Sequence, residues 1–400
     1  MESLHELYRI GKGPSSSHTM GPKNASEMFL QKHPDAHKYI VTLYGSLAAT
    51  GKGHLTGVAV EEAFQDKDIE VIWEPEIFLP RHPNALKFEA FNEKDKKTAE
   101  WTAYSVGGGA IIDNETKKDS ANIYPLTKMD DILEWCSKKG KNLWEYVEEY
   151  EDDDIWNFLA TVWKQMKKSI KNGLQKEGTL PGQLHLARKA PSYKLRSSNL
   201  TLPIKRRTML FSYALAVSEE NAGGGIIVTA PTCGASGTLP AVLYHLQKVS
   251  KFSEKDILNA LATAGLIGNL VKYNASISGA EAGCQAEIGT ACAMASAAAT
   301  QLHGGSIYQI EYAAEMGIEH HLGLTCDPLY GLVQVPCIER NAFAAARAVN
   351  HASFAILSDG RHVISFDNVI KTLKQTGADL PNLYKETSLG GLAIFGLDKD

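Results

Sequence analysis

Three cysteines in the second half of the chain constrain its fold more than any other feature. Cys284 follows a glycine, Cys326 precedes an Asp-Pro pair, and Cys337 follows a proline, so each lies where the backbone can bend tightly. Thiolates are the usual protein ligands of iron–sulfur clusters, but this spacing is much wider than the compact cysteine motif of ferredoxins. If the three thiols act together, distant parts of the fold must bring them into contact.

The residues alone leave three interpretations of these cysteines. Free cysteines pack as small hydrophobic side chains, and the spacing by itself favours this alternative. A structural zinc ion held by cysteine together with His320 or His321 is the second alternative. In the third, the thiolates hold a four-iron cluster, and because there are three of them, one iron lacks a protein ligand and can act as a Lewis acid.

The composition limits the classes of protein that the chain can belong to. With 400 residues, 44% of them apolar, it has room for two domains with sizeable cores. A formal net charge of −5 argues against nucleic-acid binding. The first residues lack a signal-peptide pattern, and the small-residue run at 291–299 is too short to span a bilayer. Six cysteines without an export signal suggest reduced thiols, so we expect a cytoplasmic protein that binds neither nucleic acid nor membrane.

Hydrophobic periodicity predicts the α+β class, with a mixed α/β domain over residues 1–150 and an all-α domain over residues 155–400. In the first domain we expect strands at 39–44, 70–73, 86–92 and 102–106, and helices at 25–31, 129–138 and 144–150. In the second we expect helices at 155–170, 210–217, 239–245, 255–273 and 341–356. The segment at 289–302 is rich in Ala and Thr, and we place it at the centre of the helical bundle because small side chains allow close packing.

Two motifs near the N-terminus carry candidate catalytic groups. The loop Gly13-Pro-Ser-Ser-Ser-His-Thr19 runs toward a predicted helix, and hydroxyl and N–H groups at a helix start can bind a carboxylate. Helix capping without a ligand is the commoner use of such residues. The turn Gly51-Lys-Gly-His54 presents a cation and an imidazole. A lone histidine is more often structural, but imidazole is well suited to acid–base catalysis near neutral pH.

Several polar or glycine-rich segments lie elsewhere in the chain. Asn274, Ser276, Ser278 and Glu281 precede the first cysteine of the trio, and in a small-residue context they need partners, either one another or a ligand beside a cofactor. The three glycines at 107–109 follow a predicted strand and lack the full dinucleotide-binding fingerprint, so we expect them to allow a close backbone approach beside the site.

These motifs, in this order, resemble the iron–sulfur-dependent L-serine dehydratases (L-serine ammonia-lyases) of bacteria. The resemblance rests on residues 13–22, 44–54, 229–232, 274–284, 326–328 and 336–341, and it covers nearly the whole chain. It implies that Cys284, Cys326 and Cys337 hold a [4Fe–4S] cluster. It also implies that L-serine loses water by β-elimination to give pyruvate and ammonia.

The resemblance further implies roles for other residues. The substrate carboxylate would be bound by the loop after Pro14, and the substrate-binding set would be Ser15, Ser16, Ser17, His18, Thr19, Asn274, Ser276 and Ser278. The catalytic set would be His54, as base or proton shuttle, with His18 and Lys52. Residues 1–150 would be the substrate-binding part and residues 155–400 the catalytic part, joined here in one chain, and a homodimer is expected.

One departure and several alternatives accompany this interpretation. Cys233 stands where the family usually has Asn, and we expect it to line the site without reacting. A related β-elimination from L-cysteine or L-threonine is an alternative activity. A non-catalytic iron–sulfur redox sensor is an alternative of another class, but it would have little use for the serine-rich loop together with His54.

Overall fold

A computed structural model describes residues 1–115 and 122–396. It confirms the α+β class, with a small sheet and helices in the N-terminal part and a largely helical C-terminal part. No helix of the described residues is long and apolar enough to cross a membrane.

The N-terminal part alternates strands and helices in the following order. Its elements are β1 (Ile10–Lys12), α1 (Gly21–Lys32), β2 (Lys38–Gly45), α2 (Ser46–Thr50), α3 (Thr56–Phe64), β3 (Asp68–Glu74), β4 (Asn84–Phe91), β5 (Lys97–Ser105) and β6 (Ile111–Asp113). All four strands predicted from alternation are present, each within a few residues of its expected bounds. The short strands β1 and β6 are too brief to show a period in the sequence.

The C-terminal part is built from helices. Its elements are α4 (Met129–Lys139), α5 (Leu143–Tyr150), α6 (Ile155–Gly173), α7 (Ala190–Ser197), α8 (Leu202–Ala222), β7 (Ile226–Val228), α9 (Thr238–Ser250), α10 (Glu254–Asn274), α11 (Gly279–Ala282), α12 (Thr290–Leu302), α13 (Ile307–Glu319), α14 (Cys337–Leu357) and α15 (Phe366–Asp379). The predicted helix at 210–217 extends from residue 202 to residue 222, because Pro203 fits the first turn of a helix. The strand β7 was not predicted.

A five-stranded sheet with the order β3-β2-β4-β5-β6 forms the core of the N-terminal part. Strands β2 and β3 are parallel, and the other neighbours are antiparallel. Phe29 of α1 stacks on Phe88 of β4, with 5.2 Å between ring centroids, and Phe64 of α3 packs on Tyr39 of β2. These aromatic contacts fix α1 and α3 on the sheet, so the loops that precede both helices are held in place.

Helix α12 lies at the centre of the helical part, as its composition predicts. All of its residues except Gln301 are buried. It packs against α9, α10, α13 and α14. Small side chains make this possible, because a Cβ added to Gly317 of α13 would lie 2.4 Å from the Ala293 Cα of α12.

We expect the substitution Gly317→Ala to lower the free energy of unfolding by about 1–3 kcal/mol, since the added methyl group meets backbone that cannot move aside cheaply. Denaturant titration would measure the change. Gly57→Ala is the matched control, because this helical glycine of α3 faces only the Trp73 ring, at 3.0 Å from the added carbon. Equal losses in the two variants would contradict the close packing of α12 and α13.

The chain start belongs to the helical part rather than to the sheet. Leu4, Leu7 and Tyr8 are buried in the helical core, and the Tyr8 hydroxyl donates to the Leu261 carbonyl at 2.9 Å. Strand β1 pairs antiparallel with β7. Helices α4 and α5 also contribute to this core. The domain division near residue 150 therefore stays a prediction, and core packing runs across it.

Candidate active site

The three cysteines converge where segments of the helical part meet. Cys284 follows α11, Cys326 lies in the loop after α13, and Cys337 is the first residue of α14. All three are free thiols, and Cys284 and Cys326 are buried and hydrogen-bonded to each other. Arg340, one turn into α14, contacts the Cys284 sulfur and lies within electrostatic range of Cys337. The fold thus brings together residues that are far apart in the sequence.

Electrostatics divide the three thiols into one anion and two neutral groups. The hydrogen bond from Cys326, supported by the Arg340 charge against the effect of burial, lowers the pKa of Cys284 to about 6. The same hydrogen bond raises the pKa of Cys326, and burial raises the pKa of Cys337. Metal ligation requires thiolates, so a bound metal would displace the remaining protons.

The donor set fits an iron–sulfur cluster better than a single zinc ion. With Zn–S bonds of about 2.3 Å, tetrahedral zinc needs its sulfur ligands about 3.8 Å apart. Among the described residues, three ligand atoms within 4.8 Å of one another occur only at His18, His54 and Glu386, not at the cysteines. At least one pair of the three sulfurs is therefore more than 4.8 Å apart, a separation that suits the larger cluster.

Neither histidine of the zinc alternative is oriented toward the thiols by its hydrogen bonds. His320 Nδ1 lies 3.1 Å from His351 Nε2. His321 Nδ1 lies 2.7 Å from the Gly317 carbonyl oxygen, and its Nε2 lies 3.1 Å from Arg347. Both imidazoles are therefore engaged elsewhere in the helical part.

A second cluster of ionisable groups is formed by His18, His54 and Glu386. The two imidazole rings lie 4.5 Å apart between centroids. His18 Nδ1 lies 3.1 Å from the Glu386 carboxylate, and His18 Nε2 lies 3.1 Å from the Ser46 hydroxyl. The Ser46 hydroxyl in turn donates to the Glu386 carbonyl, so the Ser46 oxygen can accept a hydrogen bond from His18 Nε2. Both nitrogens of His18 thus face an acceptor.

His54 is held as a neutral imidazole in a defined tautomer. Burial, followed by the charge of His18, lowers the pKa of His54 to about 3, and Glu386 opposes this shift. The Thr50 hydroxyl lies 3.0 Å from His54 Nδ1 and donates its own proton to the Ser46 carbonyl. Thr50 must therefore accept from Nδ1–H, which leaves His54 Nε2 unprotonated and able to accept a proton.

The serine-rich loop forms a π-helical turn over Ser16–Met20 that leads directly into α1. Ser15 is the N-cap, because its hydroxyl accepts from the His18 N–H at 3.1 Å, and this agrees with the capping interpretation. The Thr19 hydroxyl donates to the His54 carbonyl at 2.7 Å. The hydroxyls of Ser15, Ser17 and Thr19 are thus used within the protein. The N–H groups of Ser16 and Ser17 lie in the first turn, where N–H groups are free of helical partners.

The polar segment before Cys284 divides between structural and site-facing groups. The Asn274 amide donates to two backbone carbonyls, and Ser276 donates to Glu281, which lies 3.4 Å from His82 Nε2. Ser278 is buried, and its hydroxyl has no hydrogen-bond partner within the described residues. Sequence reasoning treated Asn274, Ser276 and Ser278 alike, but the structure gives Asn274 an anchoring role and leaves Ser278 available to a ligand.

The glycine loop predicted to approach the site does so. Gly107, Gly108 and Gly109 all have positive φ angles, which favours glycine. A Cβ at Gly107 would lie 3.4 Å from the Ser278 Cβ, so the loop packs directly on the segment before Cys284.

Lys52 does not join these buried groups. Its side chain is exposed, whereas His54, two residues later, is 1% exposed. The turn between them packs on the loop after Cys326, because a Cβ at Gly53 would lie 2.6 Å from the Tyr330 carbonyl oxygen. A catalytic role of Lys52 stays a prediction.

Cys233 is buried beside Met20, and burial raises the pKa of its thiol, so it is poorly suited to act as a nucleophile. The expectation that it lines the site without reacting is compatible with this environment. Cys136 and Cys292 are buried separately from the trio.

Sequence reasoning missed two carboxyl groups. Glu287 lies three residues after Cys284, where it accepts from Thr232 at 2.7 Å and lies 3.8 Å from the Cys326 sulfur. Burial, followed by the charge of Cys284, raises the pKa of Glu287. Glu386 comes from the C-terminal segment, and the charge and hydrogen bond of His18 lower its pKa although burial opposes them. The proximity of Glu287 to Cys284 was a usable signal, but nothing local marked Glu386.

Two family models match most of the chain. The model described as the serine dehydratase alpha chain matches residues 85–393, and the model described as the serine dehydratase beta chain matches residues 3–65. The L-serine dehydratase of Streptomyces coelicolor is 40% identical over 98% of each chain. L-serine dehydratase TdcG of Escherichia coli is 39% identical over 98% of this chain and 99% of its own. The L-serine dehydratase of Helicobacter pylori is 38% identical over 98% of each chain.

Proposed function

The chain belongs to the serine dehydratase family, and we propose that it is an L-serine ammonia-lyase that converts L-serine to pyruvate and ammonia. One structural observation carries this proposal. The main chain of Cys326 is hydrogen-bonded to Tyr384 and Thr387, and Glu386 between them reaches His18 and thus the imidazole pair. The C-terminal segment therefore connects the candidate metal ligands to the candidate proton-transfer groups, which supports the proposal.

Cys284, Cys326 and Cys337 would hold a [4Fe–4S] cluster. When bound, such a cluster would offer one iron without a protein ligand as a Lewis acid that makes the substrate hydroxyl a better leaving group. The Arg340 guanidinium favours the thiolate forms of Cys284 and Cys337, which metal ligation requires.

The helix start at Ser16 and Ser17 is the proposed binding site for the substrate carboxylate. Free N–H groups at a helix N-terminus and the positive end of the helix dipole both favour an anion there. These residues are 4% and 7% exposed, so the carboxylate would be shielded from competing water. His18 follows directly in the same turn.

His54 is the proposed base. Its unprotonated Nε2 would accept the proton from the substrate α-carbon as hydroxide leaves the β-carbon, and return of that proton to the hydroxide gives water and 2-aminoacrylate. The Glu386 carboxylate stabilises the imidazolium that forms, since it is the group that raises the pKa of His54. Tautomerisation to the imine and addition of water then release pyruvate and ammonia, so the water lost in the first step is regained in the last.

The direct test is to purify the protein without air and assay it. We expect a brown protein with about four iron atoms per chain, pyruvate formation from L-serine, and less product from L-threonine or L-cysteine. Colourless, iron-free protein that is fully active on L-serine would contradict the cluster. A stable cluster without any turnover would favour the redox-sensor alternative.

A further inference from the structure

The C-terminal segment, residues 380–396, is fixed against Cys326 by main-chain hydrogen bonds. The Cys326 N–H donates to the Tyr384 carbonyl at 2.8 Å, and the Thr387 N–H donates to the Cys326 carbonyl at 3.1 Å. Glu386 lies between these two bonded residues with a φ angle of 47°, which residues with a side chain rarely adopt. Such backbone conformations persist where the surrounding contacts impose them, and they are frequent at functional sites.

The Glu386 carboxylate is directed inward, and one of its two oxygens has no hydrogen-bond partner among the described residues. The residue is 8% exposed, although it lies near the end of the chain. Its Oε1 lies 3.1 Å from His18 Nδ1 and 3.5 Å from the Ser17 hydroxyl, which donates to it. Its Oε2 is buried and has no hydrogen-bond partner among the described residues. An ionised carboxylate can accept about four hydrogen bonds, so this oxygen lacks its donors.

A small cation with N–H groups is the best candidate for the hydrogen-bond donor that Glu386 Oε2 lacks. The imidazoles of His18, His54 and His82 lower the pKa of Glu386, and the carboxyl group of Glu287 also interacts with it electrostatically. His54 is held neutral, and His82 lies beside Glu281. A compact group with several N–H donors and a positive charge would satisfy the free oxygen without displacing His18.

We propose that Glu386 binds the α-ammonium group of the amino-acid substrate and thereby makes the site select amino acids over hydroxy acids. The proposal rests on the proposed function for the identity of the substrate. With the carboxylate at Ser16 and Ser17 and the ammonium at Glu386, two substituents of the α-carbon are fixed. The third, its hydrogen, is then directed at His54, and the hydroxymethyl group is left for the cysteine side of the site.

The test compares L-serine with 3-hydroxypropanoate, which keeps the carboxylate and hydroxyl but lacks the ammonium. In anaerobically prepared holoenzyme, Glu386→Gln should raise KM for L-serine about 10- to 100-fold, the effect of losing one charge-assisted hydrogen bond. The inhibition constant of 3-hydroxypropanoate should change less than about threefold, because that ligand never contacts Glu386. The ratio of the L-serine KM to the 3-hydroxypropanoate inhibition constant therefore rises, which a general disturbance of the site would not produce.

Lys385→Gln is the matched control, since it removes a charge from the neighbouring residue of the same segment, and it should leave both constants unchanged. Glu386→Asp keeps the charge and should recover part of the affinity for L-serine. Iron content and the visible spectrum, measured for every variant, report whether the cluster remains in place.

Ligand binding to the wild-type protein does not depend on a well-folded glutamine variant. Wild-type protein should bind 3-hydroxypropanoate at least about 10-fold more weakly than L-serine, and equal binding would overturn the proposal. An equal loss of affinity for L-serine and for 3-hydroxypropanoate in Glu386→Gln, with the cluster intact, would also overturn the proposal. The proposal would also be overturned if Glu386→Gln lost one equivalent of a metal that the wild type holds outside the cluster. That result would assign Glu386, His18 and His54 to a metal-ion site. Absence of pyruvate from the wild type would instead refute the proposed function, and calorimetric titration of the two ligands would still test Glu386.

Discussion

Replacement of Cys326 by alanine should abolish iron binding and reduce serine-dependent pyruvate formation at least a hundredfold. Lewis-acid assistance to a leaving hydroxide is worth several kcal/mol, and each 1.4 kcal/mol of barrier changes the rate about tenfold. Cys326 is central to the trio, because its thiol is hydrogen-bonded to Cys284 and its main chain is hydrogen-bonded to the C-terminal segment. Iron analysis, the visible spectrum and a pyruvate assay on anaerobic protein would measure the effect.

Cys136→Ala is the matched control for this substitution. Cys136 is equally buried, in α4, but takes no part in the trio, so its variant should keep iron and activity. A Cys326→Ala protein that retained four irons and full turnover would refute the assignment of this residue as a ligand. Simultaneous loss of iron in both variants would indicate that any buried thiol is needed for folding, not for ligation.

Replacement of His54 by glutamine should lower kcat about 10²- to 10⁴-fold while the iron content stays unchanged. The structure presents His54 with Nδ1–H bonded to Thr50, so the variant loses the free nitrogen that accepts a proton. Because burial depresses the pKa of His54 to about 3, the group is unprotonated at every pH above this value, and its titration should produce no acid limb in kcat/KM between about pH 5 and 8.

The exposed His37→Gln is a suitable control and should leave kcat unchanged. If His54→Gln kept wild-type turnover, another group would have to be the base. If it lost iron along with activity, the role of His54 would be to support the fold around the cysteines. The two readouts together separate these outcomes.

The sequence predicts the framework of this protein well because the framework follows from local patterns. Alternating residues give the strands from β2 to β5, and the Ala-rich composition of α12 is sufficient to place it at the centre of the bundle. The convergence of Cys284, Cys326 and Cys337 was inferred from a family resemblance, because their separation exceeds any periodicity that residues alone could show.

Other parts of the site depend on contacts that no local pattern encodes. Glu386 stands in an ordinary polar run, and it becomes buried because its segment folds back onto Cys326, about sixty residues earlier in the chain. Asn274 is a predicted substrate-binding residue, and its amide nitrogen donates to the carbonyls of residues 127 and 270, so its amide oxygen is the group left for a ligand. The hydrogen-bond partners of such polar residues depend on the tertiary fold, so they could be identified only in the structure.

The pairing of β1 with β7, together with the burial of Leu4 and Tyr8, means that the helical part needs the start of the chain to complete its core. A fragment starting at residue 155 would lack the apolar side chains that fill its own interior, and it would leave an unpaired strand edge open to aggregation. We expect the fragment that starts at residue 155 to fold only when it is mixed with a fragment that carries residues 1–154. The whole chain should melt in one cooperative transition rather than in separate steps.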